Sequence, residues 1–307
     1  MMRFRLSHRS VYAYATRVDL AQHVLHLDVR ATARQHVEHA EVHCHPDPDA
    51  TSVRRDHFGN VATHVQLAFP HDGFAAELRA TGLLRPPPPV DPLATPPWED
   101  IAAALDGDGF PAPVDACEFA APSPLVPRLD MLTALAKICL TPRLPVLAGA
   151  LALCASIHRQ FRYQPGATDV ATPLARAVEM RAGVCQDFAH AGIGALRGLG
   201  LAARYVSGYL ATRPAPGMAP LRGVDASHAW ISVWCGDEAG WVDIDPTNDC
   251  LAGTRHVVAA WGRDYADVSP VRGVLIGGGA HRLQVAVDLD VTPAMATMPE
   301  VGAPTPS

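Results

Sequence analysis

The chain has 307 residues, a formal net charge of −6 at pH 7, and 49% hydrophobic, 18% charged and 6% aromatic residues. This is the profile of a globular protein with fewer charges than usual, and at about 150 residues per domain the length predicts two domains. The mild acidic balance speaks against a nucleic-acid partner.

The opening MMRFRLSHRS has no apolar leader core. The longest apolar stretch, Leu144 to Ile157, runs to about 14 residues against the roughly 20 that a bilayer requires, so no membrane partner is expected. Seven cysteines (Cys44, Cys117, Cys139, Cys154, Cys185, Cys235 and Cys250) form no C-x-x-C pair and no regular spacing. An odd, scattered set predicts free thiols in a reducing compartment, hence a cytoplasmic protein without a zinc ribbon.

Residues 1–85 alternate apolar and polar positions in RFRLSHRSVYAY, HVLHLDVR and NVATHVQLAF, broken by turn signals such as HPDPD and DHFGN. That pattern predicts a β-rich domain. Residues 86–97 read as a proline-rich linker, and 12 of the 28 prolines fall between Pro86 and Pro127, so a loosely structured region is expected to follow it.

From about Leu125 the period becomes helical, through LVPRLDMLTALAKICL and LPVLAGALALCASIHRQF, with Pro145 in a first turn. PLARAVEMRAG, opened by Pro173, is expected to end at Gly183, and VCQDFAHAGIGALRGLG to follow as a further apolar helix. Alternation returns in LAARYVSGYL, SHAWISVW, GWVDID, VRGVLI and HRLQVAVDLD, with GGG as a turn. Helices followed by an antiparallel sheet make the expected fold α+β, with a core over 98–290 and a disordered tail over 291–307.

A cysteine taken alone is most often a small core residue. Cys185 differs in position, because it opens a helix, where unpaired amides and the dipole favour a thiolate. A nucleophilic thiol also needs a base and a group to orient that base. His228, at the start of SHAWISVW, supplies the base. Only CGDEAG separates that strand from GWVDIDPTND, so the two form a hairpin. In a hairpin the start of one strand meets the end of the other, which makes Asp245 a better partner for His228 than Asp243.

The blocks GVCQDFAH, SHAWISVW and GWVDIDPTND resemble the three core blocks of the transglutaminase-like superfamily, in which thiol, imidazole and carboxylate come in that order. The resemblance assigns the nucleophile to Cys185, the general base and acid to His228 and the orienting carboxylate to Asp245. It extends to SHRSVYAY and DHFGN, similar to the β-rich region that precedes the core in bacterial members, and to GRDYADVSPVRG after it. The fold it implies is a papain-like core of helices on an antiparallel sheet.

The chemistry implied is attack on a peptide or protein amide substrate through a thioester, resolved by water (peptidase or amidase) ahead of an amine (transglutaminase proper), with no cofactor and no metal. The Cys185 amide is a natural oxyanion donor. Tyr163 or Gln164 of FRYQPG is nominated as the second, with Gln186, beside the thiol, a further supporting candidate.

Several features have plainer readings. His190 lies about 140° around the helix from Cys185 and reads as structural. Asp187 reads as a carboxylate that offsets the helix dipole, and Trp230, Trp234 and Trp241 as packing aromatics. Ten of the 15 histidines fall within residues 8–71, but their scattered spacing does not describe a metal site. A non-catalytic protein-binding module and a metal enzyme built on those histidines are the rival functions.

Overall fold

The computed structural model describes residues 1–107, 112–212 and 227–294. Alternation takes the start of the chain into strands β1 (Met2–Leu25), β2 (Gln35–His45), β3 (Ala50–Arg55), β4 (Val61–Leu67) and β5 (His71–Leu84). They form an antiparallel sheet in the order β2-β5-β1-β4-β3. In β1, Phe4, Leu6, His8 and Ser10 are buried while Arg3, Arg5 and Arg9 are exposed, so a single strand divides its faces by the period of the pleat.

Proline punctuates the middle of the chain. Helices α1 (Trp98–Leu105), α2 (Val114–Glu118), α4 (Val146–Gln160) and α5 (Leu174–Met180) each start immediately after a proline, at Pro97, Pro113, Pro145 and Pro173. A residue there needs no intrahelical amide bond, so its missing N–H is harmless. The expected loose region therefore holds two short helices, and residues 108–111 between them lie outside the described residues. The proline-rich segment is pinned to the core: the Val146 amide donates to the Pro96 carbonyl (2.9 Å) and the Trp98 amide to that of Leu144 (3.1 Å).

Helix α3 (Asp130–Cys139) packs with α4 against α6 (Cys185–Arg197), and the short parallel pair β6 (Arg162–Tyr163) and β7 (Ala182–Gly183) lies at the head of α6. Small residues set the approach: a Cβ on Gly194 would meet Leu132 at 2.9 Å, and one on Gly192 would meet Ile231 at 3.3 Å. Beneath α6 lies the second sheet, of β8 (Ala203–Leu210), β9 (Ser227–Trp234), β10 (Trp241–Asp245), β11 (Cys250–Leu251) and β12 (His256–Gly262), in the order β11-β10-β9-β8-β12. Helix α7 (Tyr265–Val268) closes this part, and the architecture is α+β.

The last two strands depart from the expected core of 98–290. Strands β13 (Val271–Gly277) and β14 (His281–Pro293) both pair with β1 and complete the first sheet at seven strands. The cause is the length of β1: at 24 residues it presents two long edges, of which β5 and β4 cover one. The other is left for the returning chain. Residues 291–293, placed by sequence in the tail, belong to β14, and the rest of that expected tail, from 295, lies outside the described residues.

Residues from the segments around the first sheet also cover the free edge of the second sheet. Gln35 is buried, accepts a hydrogen bond from the Val258 amide (2.8 Å) and donates to the Val258 carbonyl (2.7 Å). Asn60 treats Trp261 in the same manner, at 3.0 and 2.8 Å. Two amide side chains, with the Arg30 amide on the Val258 carbonyl (3.1 Å), thus imitate a neighbouring strand along β12.

Candidate active site

Cys185 owes its placement to the residues just before it. Arg181, not Gly183, takes the left-handed position that ends α5 (φ 48°). Gly183 is extended in β7, where its carbonyl accepts from the Gln164 amide (2.8 Å). It must be glycine because a Cβ there would overlap the Asp187 carboxylate. That carboxylate accepts from the Val184 amide (2.8 Å) and the Thr168 hydroxyl (2.6 Å). An acid at the third helical position thus reaches back to the helix start, fixing the turn from which Cys185 projects.

His228 stands at the head of β9, with the Cys185 sulfur within hydrogen-bond reach of its ring. Its Nε2 is 2.8 Å from Asp245 Oδ2, which leaves Nδ1 for the thiol. Asp243 is engaged elsewhere, accepting from the Trp230 indole (3.2 Å). The β9–β10 register explains the division: Asp243 lies opposite Ser232, so Asp245 falls beside Trp230, nearest to His228.

Asp245 is fully buried and accepts five hydrogen bonds. Oδ1 takes the Thr247 and Asn248 amides at 2.9 and 3.2 Å. Oδ2 takes His228, the Asn248 side chain (2.7 Å) and His256 Nε2 (3.2 Å). Burial pushes this carboxyl up, but the bonds from His228 and His256 outweigh it and hold the group well below the usual carboxylate range. Burial likewise pulls the His228 imidazole down, and Asp245 together with Cys185 raises it instead to about 9. The resulting state at neutral pH is an imidazolium between a carboxylate and the sulfur.

Sequence reasoning did not pick out His256 and Asn248. His256 Nδ1 accepts from the Gly253 amide (3.2 Å), so its proton sits on Nε2 and points at Asp245. Asn248 was readable as part of the Asp-Pro-Thr turn. His256 had no local signal, since only the fold of β12 against the site brings it there.

Of the oxyanion nominees, Tyr163 is 52% exposed and lies near the sulfur. Burial first, and the negative field of Cys185 second, push its phenol up, so it stays a protonated donor. Buried Tyr205 on β8 is raised by the same two causes. Gln164 is committed otherwise, its amide to Gly183 and its side-chain oxygen to Arg162 (3.1 Å). Gln186 follows the thiol on α6 and is half-buried.

His190 is buried and neutral, accepting from the Tyr265 amide (3.2 Å), and burial pulls it down to about 4. Among the described residues, His228, Asp245 and His256 are the one group of three potential metal ligands, with donor atoms within 4.8 Å of one another. Both histidines point a nitrogen at the same carboxylate oxygen, so hydrogen bonding accounts for the cluster. No helix among the described residues is long and apolar enough to cross a membrane.

With this geometry in place, the comparisons with known proteins become informative. Residues 134–246 match the transglutaminase-like superfamily and residues 4–82 the bacterial transglutaminase-like N-terminal region. An uncharacterized protein of Mycobacterium tuberculosis is 35% identical over 297 residues, covering 95% of this chain and 93% of the relative. Another, of Mycobacterium leprae, is 31% identical over 295 residues, covering 94% and 99%.

The fold is similar to the crystal structure of a Cytophaga hutchinsonii protein provisionally described as a cysteine protease. That likeness has a TM-score of 0.73 at 20% identity and covers 95% of this chain and 91% of the other. The chain belongs to the transglutaminase-like superfamily, with the bacterial N-terminal region ahead of the core.

Proposed function

We propose that this protein is a cysteine enzyme that cleaves amide bonds in a peptide or protein substrate through a thioester on Cys185. The observation that carries the reading is the His228–Asp245 bond of 2.8 Å on a ring that also meets the Cys185 sulfur. In the first step the thiolate adds to the amide carbonyl and the His228 imidazolium gives its proton to the departing nitrogen, so the C–N bond breaks as the C–S bond forms. In the second, neutral His228 takes a proton from water, hydroxide adds to the thioester, and the carboxylic acid leaves as the C–S bond breaks. The negative oxygen of each intermediate is stabilised by the Cys185 amide, which opens α6 without an intrahelical acceptor, and by the Tyr163 hydroxyl.

Hydrolysis is favoured over amine transfer because Tyr163 is half exposed beside the thiol, and a site open to solvent offers water as the abundant acceptor. The fold likeness to a protein provisionally described as a cysteine protease supports the same choice. The test is incubation with a library of peptides and glutamine amides, detection of the acyl adduct on Cys185 by mass spectrometry, and partitioning between water and an added primary amine. The reading predicts an adduct absent from Cys185→Ala and released mainly as the acid. No adduct from any library member supports the non-catalytic binding module instead, and release mainly to the amine would make the protein a transglutaminase proper.

A further inference from the structure

Two arginines packed against the second sheet, Arg197 buried and Arg204 partly buried, are treated in opposite ways. Arg197 at the end of α6 is 2% exposed, and every nitrogen of its guanidinium has an acceptor: the carbonyls of Phe119, Ala203 and Arg263 and the hydroxyl of Ser123, at 2.8 to 3.2 Å. Arg204 on β8 is held with equal care by its faces and by nothing at its edges. Its guanidinium lies between the indoles of Trp241 (4.2 Å to the centroid) and Trp261 (3.9 Å). Arg30 of the first domain covers Trp261 at 3.5 Å. Two cations that close to one ring occupy its opposite faces, so the order is Arg30, Trp261, Arg204, Trp241.

Among the described residues the Arg204 guanidinium has no hydrogen-bond acceptor, and its Nε is fully buried. A guanidinium offers five donors in a rigid fork, and leaving the buried Nε unpaired is costly.

The open edge of Arg204 faces a cavity of about 250 Å³ between the first domain and the sheet face turned away from α6. Arg34, Asp243 and His256 also line it. Asp243 and Arg204 do not form an ion pair: in the strand register each is opposite Ser232 of β9, so they stand two strands apart, about 10 Å between backbones. Ser232 is fully buried between them, and its hydroxyl has no partner among the described residues. The cavity thus presents a preorganised fork for a carboxylate and, one small molecule away, a carboxylate for an ammonium. Its volume is below the range for drug-sized ligands, which favours a small occupant.

We infer that this interdomain cavity binds a free α-amino acid, its carboxylate on the edge of Arg204 and its ammonium on Asp243. The site is distinct from the Cys185 thiol and touches the active site only through His256, which lines the cavity and donates to Asp245.

The experiment is isothermal titration of the full-length protein with L-alanine, propionate, propylamine and inorganic phosphate, with indole fluorescence of the wild-type protein as a second readout. The inference predicts saturable L-alanine binding with a change in fluorescence, propionate at least about fivefold weaker, and no binding of propylamine or phosphate. Arg204→Lys, which keeps the charge and loses the fork, is expected to weaken L-alanine at least about tenfold. Asp243→Asn is expected to weaken L-alanine and leave propionate unchanged. Absence of L-alanine binding to the wild-type protein overturns the inference even if a variant fails to fold. So does tighter binding of phosphate or propionate than of L-alanine, binding of propylamine, L-alanine affinity unchanged in Arg204→Lys, or an Asp243→Asn that spares L-alanine or weakens propionate.

Discussion

At the scale of residues, the site is a chain of protons leaning on one buried carboxylate. Asp245 is kept ionised by its donors, and it in turn raises His228 to about 9. In the proposed mechanism the imidazolium is the acid of the first step, so kcat/KM is expected to fall on the alkaline side near pH 9. Asp245→Asn removes the carboxylate that sustains the imidazolium, and the alkaline limb should move down toward the ordinary histidine value of about 6.5, as a pH–rate profile measures. A limb that stays in place would show that Asp245 does not set the base. Cys185, His228 and Asp245 were legible because each sits in a short block with its own local logic: a helix start, a strand start and a turn after a strand. His256 was not legible, because a lone histidine in an apolar strand looks the same whether it faces a core or a carboxylate.

At the scale of elements, the turn before α6 does the positioning. Gly183 gives the Asp187 carboxylate room to hold the Val184 amide. Gly183→Ala is expected to cost about 1–3 kcal/mol by overpacking and, by displacing the head of α6, to lower kcat more than it raises KM. Chemical denaturation and steady-state kinetics on the same preparation check both halves, and unchanged kcat would contradict the positioning role. The sequence pattern made Gly183 look like the end of the preceding helix, since glycine usually fills the left-handed site there. The fold gives that site to Arg181 and reserves the glycine for close approach. Strand periodicity likewise identified β13 and β14 as strands but carries no information on which edge a strand will join, so their pairing with β1 became visible only in the fold.

At the scale of the whole molecule, the two sheets are joined by buried polar groups. Gln35 satisfies both backbone groups of Val258 and also donates to the Arg30 carbonyl (2.8 Å). Gln35→Leu takes the partner from the Val258 amide and the Arg30 carbonyl, while the Val258 carbonyl keeps the Arg30 amide (3.1 Å), and is expected to destabilise the protein by roughly 1–3 kcal/mol in a denaturant titration. A loss below about 0.5 kcal/mol would mean that the strand edge does not need the side chain.

Buried histidines set the acid limit. Burial pulls His8 and His190 down to about 4, so the unfolded chain binds their protons near pH 6.5 and the folded chain does not. Their stabilisation is full above pH 6.5 and is lost as the pH falls toward 4, by up to about 1.4 kcal/mol per pH unit for each. His228, raised to about 9, has the opposite sign: its contribution is full below pH 6.5 and is lost as the pH rises to 9. The denaturation midpoint should therefore peak near neutral pH and fall on both sides, and a flat midpoint from pH 4 to 7 would contradict the burial of uncharged imidazoles.

The claim beneath all of this is that one sulfur is activated by its imidazole neighbour while other thiols are not. Burial pushes Cys44 up to about 11 and Cys235 up to about 12, and it raises Cys154 and Cys250 as well. The direct measurement is the rate of iodoacetamide labelling at each cysteine, followed by peptide mass spectrometry at pH 7 in the wild-type protein and in His228→Ala. The account predicts Cys185 modified first by a wide margin and that margin abolished in the variant, whereas slow labelling shared evenly among the seven cysteines, or a preference for Cys185 that survives the loss of His228, would contradict it.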